Sequence, residues 1–83
     1  MNTLAAAHEY ARLRWSCRRG MKELDEHLLA YLTQVYQYAN QQEQQQFVKL
    51  LAQSDIILYQ WLILQQTPEN LDFQVLLSKI NLN

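Results

Sequence analysis

Residues 21–38 read MKELDEHLLAYLTQVYQY, and this stretch decides the class of fold. Its apolar residues return every three or four positions, namely at Met21, Leu24, Leu28, Leu32, Val35 and Tyr36. A repeat of this period places the apolar side chains on one face of an α-helix. The stretch therefore predicts an amphipathic helix over residues 21–38 that buries one face against other elements.

Helical spacing also appears on both sides of this stretch. Upstream, residues 3–17 carry the stripe Ala6, Tyr10, Leu13 and Cys17. Downstream, three stripes define a third, a fourth and a fifth helix: Phe47, Leu50 and Leu51; Ile56, Tyr59, Leu62 and Ile63; Phe73, Leu76, Leu77 and Ile80. Connections of about two to five residues between such helices are typical of a bundle of mostly antiparallel neighbours.

Polar residues at the helix starts support this division. Asn40 followed by Glu43 predicts a capping pair, in which Asn40 accepts from free amides of the third helix and Glu43 reaches back. Asp55 is predicted to cap the fourth helix. Pro68 and Asn70 mark a break before the fifth helix.

Composition agrees with one helical domain. A chain of 83 residues forms one core, and we expect residues 1–83 to be a single domain. Hydrophobic residues at 49%, with 15 leucines and nine aromatic residues, supply enough bulk for that core. Glycine and proline occur once each, against a usual ~12% combined, so the turn residues of β-hairpins are missing. The predicted fold is an all-α, compact five-helix bundle.

Several locations and activities are disfavoured. No stretch approaches the roughly 18 apolar residues that span a bilayer, so we expect no membrane insertion. Residues 1–7 lack the pattern of a secretory signal, and a single cysteine, Cys17, suits a reducing compartment. We therefore expect a cytoplasmic protein.

The sequence shows no pattern that is typical of a catalytic, metal or cofactor site. One glycine cannot build a phosphate-binding loop, so no cofactor of its own is expected. His8, Cys17 and His27 are too scattered for a metal site. Cys17 beside two arginines could be a reactive thiol, but a half-buried helix-end cysteine is the preferred interpretation. We expect no enzyme activity, no catalytic residue and no metal ligand.

Basic residues cluster near the end of the first predicted helix. Five of the seven lie within residues 12–22, and Glu23, Asp25 and Glu26 follow directly. Clustered cations are typical of nucleic-acid binding, but the net charge of −1 and the neighbouring acids oppose it. A patch of mixed sign suits docking on a protein better, and no nucleic-acid partner is expected.

Residues 15–25, WSCRRGMKELD, carry the pattern R-G-x-x-E at Arg19, Gly20 and Glu23. Thirty residues on, Asp55 to Trp61 reads D-x-x-L-Y-x-W. In these motifs, in length and in their order the chain resembles the succinate dehydrogenase flavinylation (FAD assembly) factors. One position departs from the family pattern, because Ile57 stands where relatives tend to carry a second acid.

The resemblance implies a five-helix assembly factor without chemistry of its own. It would bind the flavoprotein subunit of succinate dehydrogenase, and of fumarate reductase, and promote covalent attachment of FAD to a histidine of that subunit. The free protein would be a monomer. The alternative function is that of an antitoxin-like or nucleic-acid-binding small helical protein. The residues expected to bind the partner are Arg18, Arg19, Gly20, Met21, Glu23 and Asp25.

Two residues have roles that the pattern leaves open. Gly20 either forms a flat exposed spot for the partner's backbone, with Arg19 and Glu23 beside it on one helical turn, or it ends the first helix in a left-handed conformation. Trp61 lies between apolar runs, and we expect it to be a core anchor first and an interface residue second.

Overall fold

The structure, a computed structural model, describes residues 3–81. Five α-helices follow in order: α1 (Thr3–Ser16), α2 (Lys22–Gln34), α3 (Gln41–Leu51), α4 (Asp55–Leu62) and α5 (Leu71–Asn81). A short 3-10 helix, Tyr36–Tyr38, separates α2 from α3, and no strand occurs among the described residues. The prediction of an all-α bundle of five helices is confirmed.

Helix α2 lies at the centre of the packing. It contacts α1, α4 and α5, while α3 packs on α5 and α4 on α5. Four residues of its apolar face, Leu24, Leu28, Tyr31 and Leu32, are fully buried, as expected for an amphipathic helix that meets several neighbours. The core takes residues from all five helices and consists of Leu13, Cys17, Leu24, Leu28, Tyr31, Leu32, Phe47, Leu50, Leu51, Leu58, Leu62, Phe73, Leu76, Leu77 and Ile80.

The second helix is shorter than predicted. Its α-helical part ends at Gln34, and Val35 (φ −122°, ψ −42°) leaves helical geometry before the 3-10 helix begins. Val35 and Tyr36 nevertheless pack against the core. The apolar spacing continues through a tighter turn, which is why the sequence pattern continued to residue 38.

Of the predicted helix caps, the one at Asn40 is present and the one at Asp55 is not. The Asn40 side chain accepts from the backbone N–H of Glu43 at 2.8 Å, as predicted, but the Glu43 carboxylate does not reach back. The cap of α4 is Ser54, whose hydroxyl accepts from the backbone N–H of Ile57 at 3.3 Å, so the prediction of Asp55 is wrong. Asp55 is the first residue inside α4, where its carboxylate meets Arg19 instead.

Glu43 joins three helices. Its carboxylate accepts a hydrogen bond from the Tyr31 hydroxyl of α2 at 2.5 Å and pairs with the Lys79 ammonium of α5. The Tyr31 ring also packs on Phe47 of α3, with ring centroids 4.6 Å apart. An electrostatic contact and an aromatic contact thus hold α2 and α3 together.

Across residues 3–81, none of the helices is both long and apolar enough to span a membrane.

Candidate functional site

The R-G-x-x-E residues begin in the connection between α1 and α2, which we call the motif loop (residues 17–21). Helix α1 closes with hydrogen bonds from the Cys17 N–H to Leu13 O and from the Arg18 N–H to Trp15 O, at 3.1 and 3.0 Å. The chain then turns away, and Met21 adopts an extended conformation as the N-cap residue of α2. The loop therefore changes the chain direction within a few residues.

Gly20 makes this change of direction possible. Its φ is +80°, a region that residues with a side chain rarely adopt, so glycine is favoured on conformational grounds alone. A Cβ added at Gly20 would meet nothing within 4 Å, so this position faces open space. The left-handed conformation of one alternative is present, and the position is exposed, as the other alternative requires. Gly20 does not directly end α1, which stops at Ser16.

Arg19 is turned into the molecule. Its Nη2 donates to the backbone carbonyls of Leu51 and Gln53, at 2.8 and 2.6 Å. Its Nε lies 3.1 Å from Asp55 Oδ1, in an ion pair whose geometry does not make a hydrogen bond. The side chain is only 16% exposed. We call these contacts with Leu51, Gln53 and Asp55 the Arg19 clamp.

The clamp lies where two helix ends meet. The last carbonyls of an α-helix have no partner within the helix and carry partial negative charge. Leu51 is the last residue of α3, and Asp55 adds a full negative charge at the first residue of α4. A guanidinium suits this junction because its planar fork can donate to several acceptors at once. Sequence and local electrostatics together explain why Arg19 points inward.

Asp25 and Met21 also hold the loop in place through contacts within the chain. The carboxylate of Asp25 accepts from the backbone N–H of Arg19 at 2.7 Å, which ties the loop to the first turn of α2. Met21 is partly buried and packs against the core. Arg19 is thereby held at its main chain by α2 and at its side chain by the turn between α3 and α4.

Other residues around the loop face the solvent. Arg18 and Glu23 are exposed, as is Lys22 between them. The Arg18 guanidinium carbon lies 5.8 Å from the ring centroid of Trp15, within range of a cation–π contact. Trp15 is 73% exposed, so a large aromatic surface lies next to the motif loop. The surface combines charges of both signs with one aromatic ring.

Cys17 belongs to the core. It is fully buried, and burial raises the pKa of its thiol to about 12 although nearby Arg19 acts in the opposite direction. A nucleophilic cysteine needs a lowered pKa and access, and Cys17 has neither. Within the described residues, no cluster of three or more histidine, cysteine, aspartate or glutamate side chains could hold a metal ion.

The six predicted partner-binding residues thus divide into two groups. Gly20, Arg18 and Glu23 are exposed, whereas Arg19, Met21 and Asp25 are engaged within the chain. The expectation that Arg19 and Glu23 share one continuous helical turn is wrong, because Gly20 has positive φ and α2 begins only at Lys22.

Sequence reasoning missed the role of two residues near the loop. The sequence predicts Asp55 as a helix cap, whereas its ion pair with Arg19 links the D-x-x-L-Y-x-W motif to the R-G-x-x-E motif. For Trp15, the exposure next to Arg18 cannot be deduced from spacing.

Comparison with known proteins agrees with the motif. Residues 11–82 match the family model described as flavinator of succinate dehydrogenase. The chain is 39% identical to the FAD assembly factor SdhE of Vibrio parahaemolyticus over 72 residues, 87% of this chain and 84% of the relative. It is 39% identical to that of Coxiella burnetii over 69 residues, 83% of this chain and 84% of the relative.

A third relative, the FAD assembly factor SdhE of Aliivibrio fischeri, is 36% identical over 75 residues, 90% of this chain and 87% of the relative. No solved structure matches the chain. Because the family model and these relatives each cover most of the chain, and Arg19, Gly20 and Glu23 supply the R-G-x-x-E motif, the chain belongs to the family of succinate dehydrogenase flavinators.

Proposed function

We propose that this protein is an FAD assembly factor that docks on the flavoprotein subunit of succinate dehydrogenase and promotes the covalent attachment of FAD to that subunit. The observation that carries the proposal is the motif loop, where residues of the R-G-x-x-E pattern form a bend that is open to solvent at Gly20. Family membership supports the choice of partner.

The docking surface of this proposal is formed by the exposed Arg18, Gly20 and Glu23, with Trp15 at its edge. Gly20 lets the partner's backbone approach closely, since no side chain stands there. Arg18 and Glu23 can pair with charges of opposite sign on the partner. Met21, Asp25 and Arg19 contribute to docking by shaping the loop from within.

The protein acts without a reacting group of its own. The one thiol is buried with a raised pKa, which is unfavourable for nucleophilic chemistry. We infer that docking favours a conformation of the flavoprotein subunit in which its histidine and the flavin are aligned. Orientation of this kind can lower a barrier by several kcal/mol. On this proposal the protein is not an enzyme and holds no cofactor.

The proposal extends to fumarate reductase, whose flavoprotein subunit the resemblance implies as a second partner, and to a monomeric, cytoplasmic free state. The second partner and the monomer rest on the resemblance alone, and the single cysteine suits a reducing compartment such as the cytoplasm. Size-exclusion chromatography with light scattering tests the monomer, and a separate flavinylation assay with each flavoprotein subunit tests the choice of partner.

The decisive experiment is deletion of the gene, followed by a denaturing gel that detects flavin fluorescence bound to protein. We expect the flavoprotein band to lose fluorescence and to regain it when the wild-type gene is returned. The Gly20→Arg variant should fold and fail to restore the band. Gln45→Arg, which adds the same side chain at an exposed position of α3, should restore it. Full fluorescence in the deletion strain would refute the proposed function.

A direct titration with FAD tests the absence of a cofactor. We expect no sub-micromolar binding by the isolated protein, since it has no phosphate-binding loop and a domain of this size cannot both bury its core and enclose a dinucleotide. Calorimetry that gave a sub-micromolar constant would place part of the cofactor site on this protein.

A further inference from the structure

We propose that Arg19 is a positioning residue, whose side chain holds the motif loop in its docking shape and does not itself contact the flavoprotein subunit. The inference rests on the proposed function, and it reverses the role expected for the first residue of the motif. It also extends the functional unit to the turn between α3 and α4, which contains no residue of R-G-x-x-E.

The first argument is that Nη2 and Nε of the guanidinium already face groups of this chain. Two carbonyl oxygens lie within 2.8 Å of Nη2, and a carboxylate lies beside Nε. At these two nitrogens a carboxylate of the partner would have to compete with three groups that the junction of α3 and α4 holds in place. With 16% of its side chain exposed, Arg19 offers little surface to a partner, whereas its neighbour Arg18 is exposed.

The second argument is what the clamp holds in place. The next residue is Gly20, and glycine has more backbone freedom than any other residue. A bend centred on glycine keeps one shape only when its neighbours are fixed. Arg19 supplies this restraint, because its backbone N–H is bound by Asp25 and its side chain by the turn at residues 51–55.

The consequence for docking depends on the fraction of free molecules whose loop has the docking shape. If only a fraction of molecules holds the loop in the docking shape, the apparent dissociation constant rises by the inverse of that fraction. The bound complex is unchanged, because the partner selects the same loop shape. Loss of the clamp should therefore raise the concentration of factor needed for half-maximal flavinylation and leave the rate at saturation unaltered.

The test uses four single variants of the full chain and one double variant, which combines Arg19→Ala with Asp55→Asn. Arg19→Ala removes the clamp, and Arg19→Lys keeps the charge but loses the planar fork. Asp55→Asn removes the charge at one end of the clamp. Arg14→Ala is the matched control, since it deletes one exposed positive charge from the last turn of α1 without touching the clamp. Circular dichroism melts identify any variant that fails to fold.

Two measurements are made on each variant. The first is amide hydrogen exchange by NMR in the free protein, at residues 18 and 19 in the loop and at Leu28 and Leu32 in the buried core of α2. The second is a titration of flavin attachment to the purified flavoprotein subunit with added FAD.

We expect Arg19→Ala to speed exchange in the loop about tenfold without changing exchange at Leu28 and Leu32, and to raise the half-saturating concentration by a similar factor at an unchanged maximal rate. Arg19→Lys should show the same faster loop exchange and the same raised half-saturating concentration. Asp55→Asn should act in the same direction, and combining it with Arg19→Ala should add nothing, because the two residues form one contact. Arg14→Ala should behave as wild type.

Unchanged loop exchange in Arg19→Ala together with weakened docking would overturn the inference, because Arg19 would then contact the partner directly. Full rescue by Arg19→Lys, or additive effects of Arg19→Ala and Asp55→Asn, would count against it equally. If Arg19→Ala does not fold, loop exchange and the flavinylation titration of Arg19→Lys and Asp55→Asn test the inference in its place. Failure of the wild-type protein to stimulate flavin attachment at any concentration would refute the proposed function instead, and loop exchange would still report on the clamp.

Discussion

Tyr31 and Glu43 are joined by a hydrogen bond of 2.5 Å that connects α2 to α3, and Lys79 of α5 pairs with the same carboxylate. Burial alone would raise the pKa of Glu43, but the hydrogen bonds from Lys79 and Tyr31 outweigh it and lower the pKa below the ordinary value of 4.5. Burial of the Tyr31 hydroxyl and its hydrogen bond to Glu43 raise the pKa of Tyr31. The ionised carboxylate is thus the form that the folded protein favours.

We predict that Glu43→Gln destabilises the protein by about 1–3 kcal/mol at pH 7, because it removes charge-assisted hydrogen bonds from two helices. A pKa lowered on folding contributes stability above the unfolded value, and this contribution is lost as pH falls through the folded pKa. Below pH 4.5, wild type should therefore lose stability that the variant never had. Urea unfolding between pH 3 and 7 measures both effects, with exposed Glu26→Gln as control; equal pH profiles of wild type and Glu43→Gln would contradict the prediction.

Substitution of Gly20 should separate folding from docking. Gly20→Ala should cost about 1 kcal/mol of stability, since φ is +80°, and Gly20→Asn less, because asparagine tolerates this region better. Gly20→Arg should cost no more than alanine, as a Cβ there meets no atom within 4 Å, but should abolish docking. Thermal melts and a pull-down with the flavoprotein subunit measure the two effects. A Gly20→Arg variant that docks normally would exclude this surface.

Cys17 should be unreactive while the protein is folded. With a pKa of about 12 in place of 9.0, the thiolate fraction at pH 8 is about a thousandfold smaller, and burial blocks access as well. We expect a thiol reagent such as Ellman's reagent to label the native protein only as fast as it unfolds. The urea-denatured chain is the control. Rapid stoichiometric labelling of the native protein would show that the end of α1 opens.

The two tryptophans should differ in their effect on stability. Trp61 is partly buried against the core, with its ring 5.4 Å from that of Phe73, so it lies at the edge of the core rather than at its centre. Trp61→Ala should therefore cost about 2–3 kcal/mol, below the range for a fully buried tryptophan. Trp15→Ala, at a site 73% exposed, should cost less than about 0.5 kcal/mol. Urea unfolding of the two variants is the measurement, and equal stability losses would contradict this assignment.

The helices were predictable because each depends on local pattern. The apolar stripe of residues 21–38 places Leu24, Leu28 and Leu32 on one buried face, as the structure has them. The end of α2 was not predictable, because Val35 and Tyr36 reach the core from a different backbone geometry at nearly the same spacing. Hydrophobic spacing records which residues are buried and is less sensitive to the helix type that buries them.

The interior of the candidate site was not predictable for another reason. The motif pointed to the loop, and the glycine at position 20 predicted, as alternatives, a left-handed backbone or an exposed position. The acceptors of Arg19 are two backbone carbonyls, and a carbonyl leaves no mark in the sequence because every residue has one. Only the packing of α3 and α4 beside the loop shows that Arg19 points away from the solvent.

The clamp also has a consequence for the order of synthesis. Arg19 leaves the ribosome before its acceptors, which follow 32 and 34 positions later, and before Asp55. A nascent chain that stops before Leu51 carries the complete R-G-x-x-E motif without the acceptors of the Arg19 side chain. If the clamp sets the docking shape as proposed, that shape forms only after translation has passed Asp55, and an unfinished copy does not compete with finished ones for the flavoprotein subunit.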